Sequence, residues 1–187
     1  MHNSFFILSL FWTWFLFISG SGNFGEVFSG VLLGQDKKSQ KVIAIKCLKD
    51  LSNRTDFFKE AIAACELNHE NIVEFLGIVK KPNDMIIFEF MEGGQLLNYL
   101  KVNQRMDNPL PISDMIEILI DICKGCAYME LMKFVHRDLA ARNCLLTSTD
   151  PMKRKVKICK AFHYSNGIFE QNLSLKSYVN VYYLRLK

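Results

Sequence analysis

The chain has 187 residues, half of them apolar, with a formal charge of +4. That length and apolar content suit one globular unit with a real core and exclude a disordered segment. The charge is uneven, because residues 152–187 hold eight Lys/Arg against Glu170 alone; that stretch carries +7 and residues 1–151 carry −3. Without interleaved aromatic residues, the basic stretch reads as a solvated surface, and no nucleic acid partner is expected.

The first nineteen residues differ in kind. Phe5–Ile18 is apolar apart from Ser9 and Thr13, and it holds five Phe and two Trp. Fourteen residues fall short of the roughly 20 that a membrane span needs, and no Lys or Arg opens the segment as in a secretory signal. From here the apolar residues fall into short runs, Val27–Leu33, Val42–Cys47, Ile72–Val79 and Met85–Phe90, which predict strands separated by turns at Gly34–Gln40 and Lys81–Asp84. Between the second and third runs, Thr55–Leu67 is rich in helix formers, with Thr55 as its cap. After Gly93-Gly94 a short helix runs through Tyr99. Pro109 and Pro111 then precede a long helix from about Ser113 to Leu131. On it Met115, Leu119, Ile122, Cys126 and Met129 recur at steps of four and three and predict the core face, with Asp114, Glu117, Asp121 and Lys124 on another. The six cysteines, at 47, 65, 123, 126, 144 and 159, lack the spacing of a disulfide framework or a zinc site, so buried, reduced thiols are expected, Cys123 and Cys126 among them. The change from strands to helices near Gly93 suggests two lobes.

Three motifs carry chemistry. Gly20-Ser21-Gly22-Asn23-Phe24-Gly25-Glu26-Val27 reads G-x-G-x-x-G-x-V, where missing side chains let backbone N–H groups approach phosphate oxygens. A strand rather than a helix follows, which excludes a dinucleotide fingerprint. Val42-Ile43-Ala44-Ile45-Lys46 ends an apolar strand on a cation that needs an anion to meet, and Glu60 together with a phosphate would supply it. His136-Arg137-Asp138-Leu139-Ala140-Ala141-Arg142-Asn143 is the most specific of the three.

Taken together, these motifs resemble the protein kinases, and the Ala140-Ala141-Arg142 insert resembles tyrosine kinases, most of all the Fes/Fer-like cytoplasmic ones. The resemblance implies an α+β, two-lobed kinase-like fold, with a small antiparallel sheet plus a helix and an incomplete helical large lobe. It divides the chain into residues 1–19, unlike the family; 20–91, the small lobe and hinge; 92–158, the start of the large lobe with the catalytic loop; and 159–187, a tail unlike the family. The implied cofactor is ATP, and the implied reaction is γ-phosphoryl transfer to a tyrosine-containing protein. Gly20, Gly22 and Gly25 would lie over the phosphates, with Lys46 as phosphate ligand and Glu60 as its helix partner. Val27 and Ala44 would pack on adenine from above and Leu145 from below. Phe88 would stand at the back of the pocket, with Glu89, Phe90 and Met91 as the hinge. Asp138 would be the base, Arg142 part of the catalytic loop, and Asn143 a magnesium ligand. His69, Asn71 and Ile72 also fit the family's pattern.

The likeness fails after Val156-Lys157-Ile158. Where the family has D-F-G, whose Asp grips magnesium, this chain reads Lys160-Ala161-Phe162, and no Asp follows Asp150. Magnesium binding is therefore expected to be weakened, and turnover impaired, which leaves a non-catalytic ATP-binding pseudokinase as the rival. No A-P-E sequence follows either. Without later helices, the long helix is expected to expose part of an apolar face. The abruptness of both breaks suggests that the terminal segments are translated intron. A cytoplasmic location is expected. Membrane attachment through Phe5–Ile18 is the alternative, and it would hold Gly20 at the headgroups; a substitute first strand from Leu16–Ile18 is the plainer reading.

Overall fold

A computed structural model describes residues 17–22, 25–33, 39–48, 52, 54–79, 84–105, 109–159 and 163–164. These residues form two compact units, one within Met1–Cys65 and Phe75–Phe90, the other within Glu66–Glu74 and Met91–Ser165. Secondary structure is α+β, as the motifs imply.

The first unit is a five-stranded antiparallel sheet with one helix. Strands β1 (Phe17–Gly22), β2 (Gly25–Leu33), β3 (Gln40–Leu48), β4 (Phe75–Val79) and β5 (Met85–Glu89) lie in the order β1-β2-β3-β5-β4. The apolar run before the glycines does supply a first strand, and Gly22 pairs with Gly25. Alternation along β3 sorts its side chains onto two faces. Ile43 and Ile45 are fully buried with Val79, Met85 and Ile87, and partly buried Cys47, Phe28, Leu32 and Leu76 pack against them. On the opposite face Ala44 stands across from Phe88 and Lys46 across from Ile86. There helix α1 (Arg54–Glu66) lays Phe57 and Ala61 on Ile86. Asp56 in its first turn suits the positive end of the helix dipole. Thr55 is the second residue of this helix and does not cap it.

Sequence alternation over-extends one strand. Residues 72–74 lie outside β4, and Ile72 instead makes an isolated parallel bridge to Ile158, within the second unit. Asn71 explains the change. It is fully buried, its carbonyl accepts from Ile158 N–H at 2.9 Å, and its side chain donates to the Val156 carbonyl at 2.9 Å. Those bonds commit the segment to that partner strand.

The second unit contains α2 (Leu96–Arg105) and α3 (Ile112–Leu131) with three short pieces of sheet. Strands β6 (Gly94–Gln95), β8 (Cys144–Leu146) and β9 (Val156–Ile158) pair in the order β6-β8-β9, and β7 (Phe134–Val135) pairs with β10 (His163–Tyr164). Pro111, at the start of α3, has no N–H to leave unpaired there. Lys133, at φ 59°, ends that helix in the left-handed conformation, donating its N–H to the Glu130 carbonyl at 2.9 Å.

The buried face of α3 differs from the expected stripe. Ile118, Gly125 and Met129 are buried and Ile122 and Cys126 half-buried, whereas Met115, Leu119 and Cys123 are exposed. Two supposedly solvated acids face inward instead. Asp121 accepts from Val156 N–H at 2.8 Å, and Asp114 accepts from Arg154 at 3.3 Å. Hydrogen-bonded carboxylates thus take half-buried positions on the packed side, and the apolar Ile112, Met115, Ile116, Leu119 and Ile120 are left exposed. That exposure agrees with the sequence expectation for this helix.

Candidate active site

The motif residues form two clusters, one in each unit. In the first unit, Val27 is the register partner of Lys46, and Ala44 lies two residues from Lys46, so all three share one face of the sheet. The face that holds Lys46 also carries α1, and Glu60 meets the ammonium there. Lys46 Nζ donates to both carboxylate oxygens of Glu60, at 2.6 and 2.5 Å. Lys46 is only 7% exposed, so the ion pair is what makes its burial tolerable. Gly20 and Gly22 lie in β1 and Gly25 opens β2, while Asn23 and Phe24 between them lie outside the described residues. Phe88 and Glu89 close β5, Phe90 ends the first unit, and Met91 begins the next stretch of the second.

In the second unit, the backbone after β7 is shaped around His136. Its Nδ1 accepts from Asp138 N–H at 3.3 Å, which leaves Nε2 protonated to donate to the Cys159 carbonyl at 3.2 Å. This buried ring therefore joins the loop to the end of β9. Arg137 adopts φ 61° between His136 and Asp138. Cys159 is tied on its other side as well, its N–H donating to the Asn143 carbonyl at 2.8 Å.

Asp138 is held by two donors. Arg142 donates to one carboxylate oxygen, and Asn143 donates to the other at 2.8 Å and to the Asp138 carbonyl at 2.8 Å. A single 3-10 turn, Ala141–Asn143, brings Arg142 and Asn143 back toward Asp138. Asn143 is buried, whereas the Asp138 and Arg142 side chains are about half exposed. The result is an oriented carboxylate open to solvent, fixed from below by a buried amide. Leu145 lies in β8, paired with Gln95 and Lys157.

The neighbouring thiols do not share this chemistry. Burial, with a smaller contribution from Cys126, pushes the Cys144 thiol up to about 11, and burial also raises Cys126. Both remain neutral packing groups at physiological pH. Cys123 faces solvent, contrary to the expectation of core packing, and all six cysteines are reduced thiols.

The recognition pattern of the protein tyrosine and serine/threonine kinases matches residues 18–173. The chain belongs to the protein kinase family. The match runs beyond Ile158, where likeness to the kinases was expected to stop. Among curated relatives of this kinase chain, the proto-oncogene tyrosine-protein kinase ROS of Rattus norvegicus is 44% identical over 164 residues, covering 82% of this chain and 7% of that protein. The tyrosine-protein kinase transforming protein ros of UR2 avian sarcoma virus is 42% identical over 138 residues, covering 68% and 34%. Protein sevenless of Drosophila melanogaster is 41% identical over 152 residues, covering 74% and 6%. The chain therefore spans about a third or less of the length of these relatives. The Fes/Fer-like kinship read from Ala140-Ala141-Arg142 finds no support beside these ROS and sevenless relatives. Those three residues mark tyrosine kinases too broadly to divide them.

The cofactors that kinases use fit unequally. A buried, carboxylate-paired ammonium beside strands that carry three glycines suits an anionic nucleotide tail. Magnesium would find one expected ligand, Asn143, among the described residues. Among the described residues, no three His, Cys, Asp or Glu converge on a metal position. Asn143 alone remains of the expected ligands, and Lys160-Ala161-Phe162 lies outside the described residues, with Lys160 a cation in sequence. Among the described residues no helix is long and apolar enough to cross a membrane; residues 5–16 of the apolar segment lie outside them.

Arg54, Asp84 and Arg154 are side chains that motif reading missed. Each is a charge at a short or loop-edge position, and a buried Asp84 just before an apolar strand was the available signal. Sequence pattern places Asp84 at the end of the turn Lys81–Asp84.

Proposed function

We propose that the chain is the nucleotide-binding and catalytic-loop portion of a protein-tyrosine kinase that works in the cytoplasm. The observation that carries this reading is the buried Lys46–Glu60 pair, on the sheet face shared by Val27 and Ala44. Glu60 holds the ammonium at a fixed place, where it can meet the phosphates of ATP with little reorganisation. Val27 and Ala44 present small apolar surface for the adenine, on the sheet that Phe88 and Glu89 close. Asp138, aimed by Arg142 and Asn143, accepts the proton of a tyrosine hydroxyl as that oxygen takes the γ-phosphoryl group and ADP leaves. The names of the ROS relatives support tyrosine as the acceptor.

A second reading is favoured by Lys160. An ammonium where the family has a metal-gripping carboxylate supports nucleotide binding without useful turnover. Thermal shift of the full chain with ATP, with and without magnesium, tests both. A modest shift that is nearly independent of magnesium and lost in Lys46→Met is expected. No shift with any adenine nucleotide would sink the nucleotide reading. Magnesium-dependent transfer of label to a tyrosine peptide, abolished by Asp138→Asn, would overturn the non-catalytic one.

A further inference from the structure

Helix α1 is anchored to the sheet by a second ion pair that no kinase motif contains. Arg54, its first residue, donates through Nε to Asp84 Oδ2 at 2.6 Å. The two partners are unequal: the Arg54 side chain is half exposed, whereas that of Asp84 is 6% exposed. Asp84 Oδ1 is buried and has no hydrogen-bond partner among the described residues. A buried carboxylate with one oxygen unsatisfied is costly, and removing its cation would cost more. Asp84 is also fixed to the sheet. It directly precedes β5, and its carbonyl accepts from N–H of Leu48, the last residue of β3, at 3.0 Å. Arg54 is steadied by its own helix, its guanidinium lying 5.5 Å from the centre of the Phe58 ring.

Glu60 lies six residues beyond Arg54, which is about 9 Å along a helix axis. The helix is thus tied to the sheet at two points, Arg54 at the edge where β3 ends and β5 begins, and Glu60 at Lys46. With one tie α1 can pivot about the buried Phe57 and Ala61; with both its axial position and rotation are set. We infer that Arg54 and Asp84 are a positioning pair that holds α1 so that Glu60 meets Lys46. Its functional meaning rests on the reading of Lys46 as a phosphate ligand, but the placement itself can be tested without nucleotide.

Acylation of the full chain by a water-soluble N-hydroxysuccinimide ester, read by peptide mass spectrometry, reports how often Lys46 leaves Glu60. Amide hydrogen exchange reports the opening of α1. Arg54→Gln removes the charge from a half-exposed side chain and should leave the fold intact. Losing one charge-assisted hydrogen bond should speed Lys46 acylation and exchange in residues 57–60 by roughly tenfold or more. Arg54→Lys should recover part of that loss, and the β2–β3 amides should exchange as before. Unchanged Lys46 acylation in Arg54→Gln would overturn the inference. So would exchange that rises equally in α1 and across β2–β3, since that marks a general structural role. Protection of Lys46 by ATP is a separate arm: its absence, with Arg54-dependent acylation intact, upholds the positioning pair and removes the phosphate reading.

Discussion

Gly125→Ala in the middle of α3 should destabilise the chain, although the same change on an open helix face would stabilise it. A Cβ built at Gly125 would lie 2.9 Å from the Asn71 carbonyl oxygen, 2.8 Å from Ile158 Cδ1 and 3.4 Å from Ile158 Cγ1. The Ile158 methyl can turn aside. The Asn71 oxygen cannot, because it accepts from Ile158 N–H at 2.9 Å and the flanking backbone is tied to β9. Relief therefore requires the helix to back away and loosen the bond between Asp121 and Val156. Forcing a methyl into packed structure costs about 1–3 kcal/mol. Replacing a helical glycine with alanine returns up to about 1 kcal/mol. With the full offset the net loss is roughly 0–2 kcal/mol, and the two sub-3 Å contacts put it toward the upper end, a fall in Tm of up to about 8 °C for a chain of this size. Circular dichroism melts of the full chain measure it, with Ala127→Gly on the exposed side of α3 as the control for helix propensity alone. A higher Tm for Gly125→Ala would refute the reasoning, because it would mean that the close approach of α3 to Asn71 is soft.

Arg154 should prove an electrostatic keystone whose removal harms through what it leaves behind. Its side chain is 2% exposed, donates to the Tyr99 hydroxyl at 2.8 Å, and pairs with Asp114 at 3.3 Å and Glu117 at 3.7 Å. Arg154→Met should cost about 3 kcal/mol in denaturant unfolding, and adding Asp114→Asn should restore part of it; strictly additive losses would refute the pairing. Iodoacetamide at pH 8 should modify Cys123 well before Cys144, whose thiol, raised to about 11 by burial, stays protonated until the pH approaches that value. Labelling Cys144 as fast as Cys123 would mean that β8 opens readily. Ile116→Glu with Leu119→Glu should reduce self-association in sedimentation velocity while leaving Tm within about 1 °C, because both side chains are exposed; a large loss of Tm would show that this face is covered.

Local pattern alone located most of the strands, the three helices and the chemical motifs. Short-range chemistry writes these features directly into sequence: β-branched alternation in Val42–Cys47, the glycines at 20, 22 and 25, and the tight spacing of Asp138, Arg142 and Asn143. Lys46 was recognisable as a charge in need of an anion, and Glu60 as its candidate. Fourteen residues separate them, yet both lie on regular elements whose periods fix which way they face.

Tertiary structure decided what periodicity could not. The expected stripe on α3 assumed that the most apolar face is the buried one, but Asp114 and Asp121 found donors in Arg154 and Val156, and Met115 and Leu119 were left outside. Residues 72–74 read as strand with β4 until the buried bonds of Asn71 tied the segment to β9. Arg54 and Asp84, thirty residues apart, carry no motif, and only the folding of β3 and β5 side by side brings the carboxylate to the start of α1. Sequence records the preferences of each segment. Which polar groups may be buried depends on partners that the chain meets only when folded, and a buried charge is stable only where such a partner arrives.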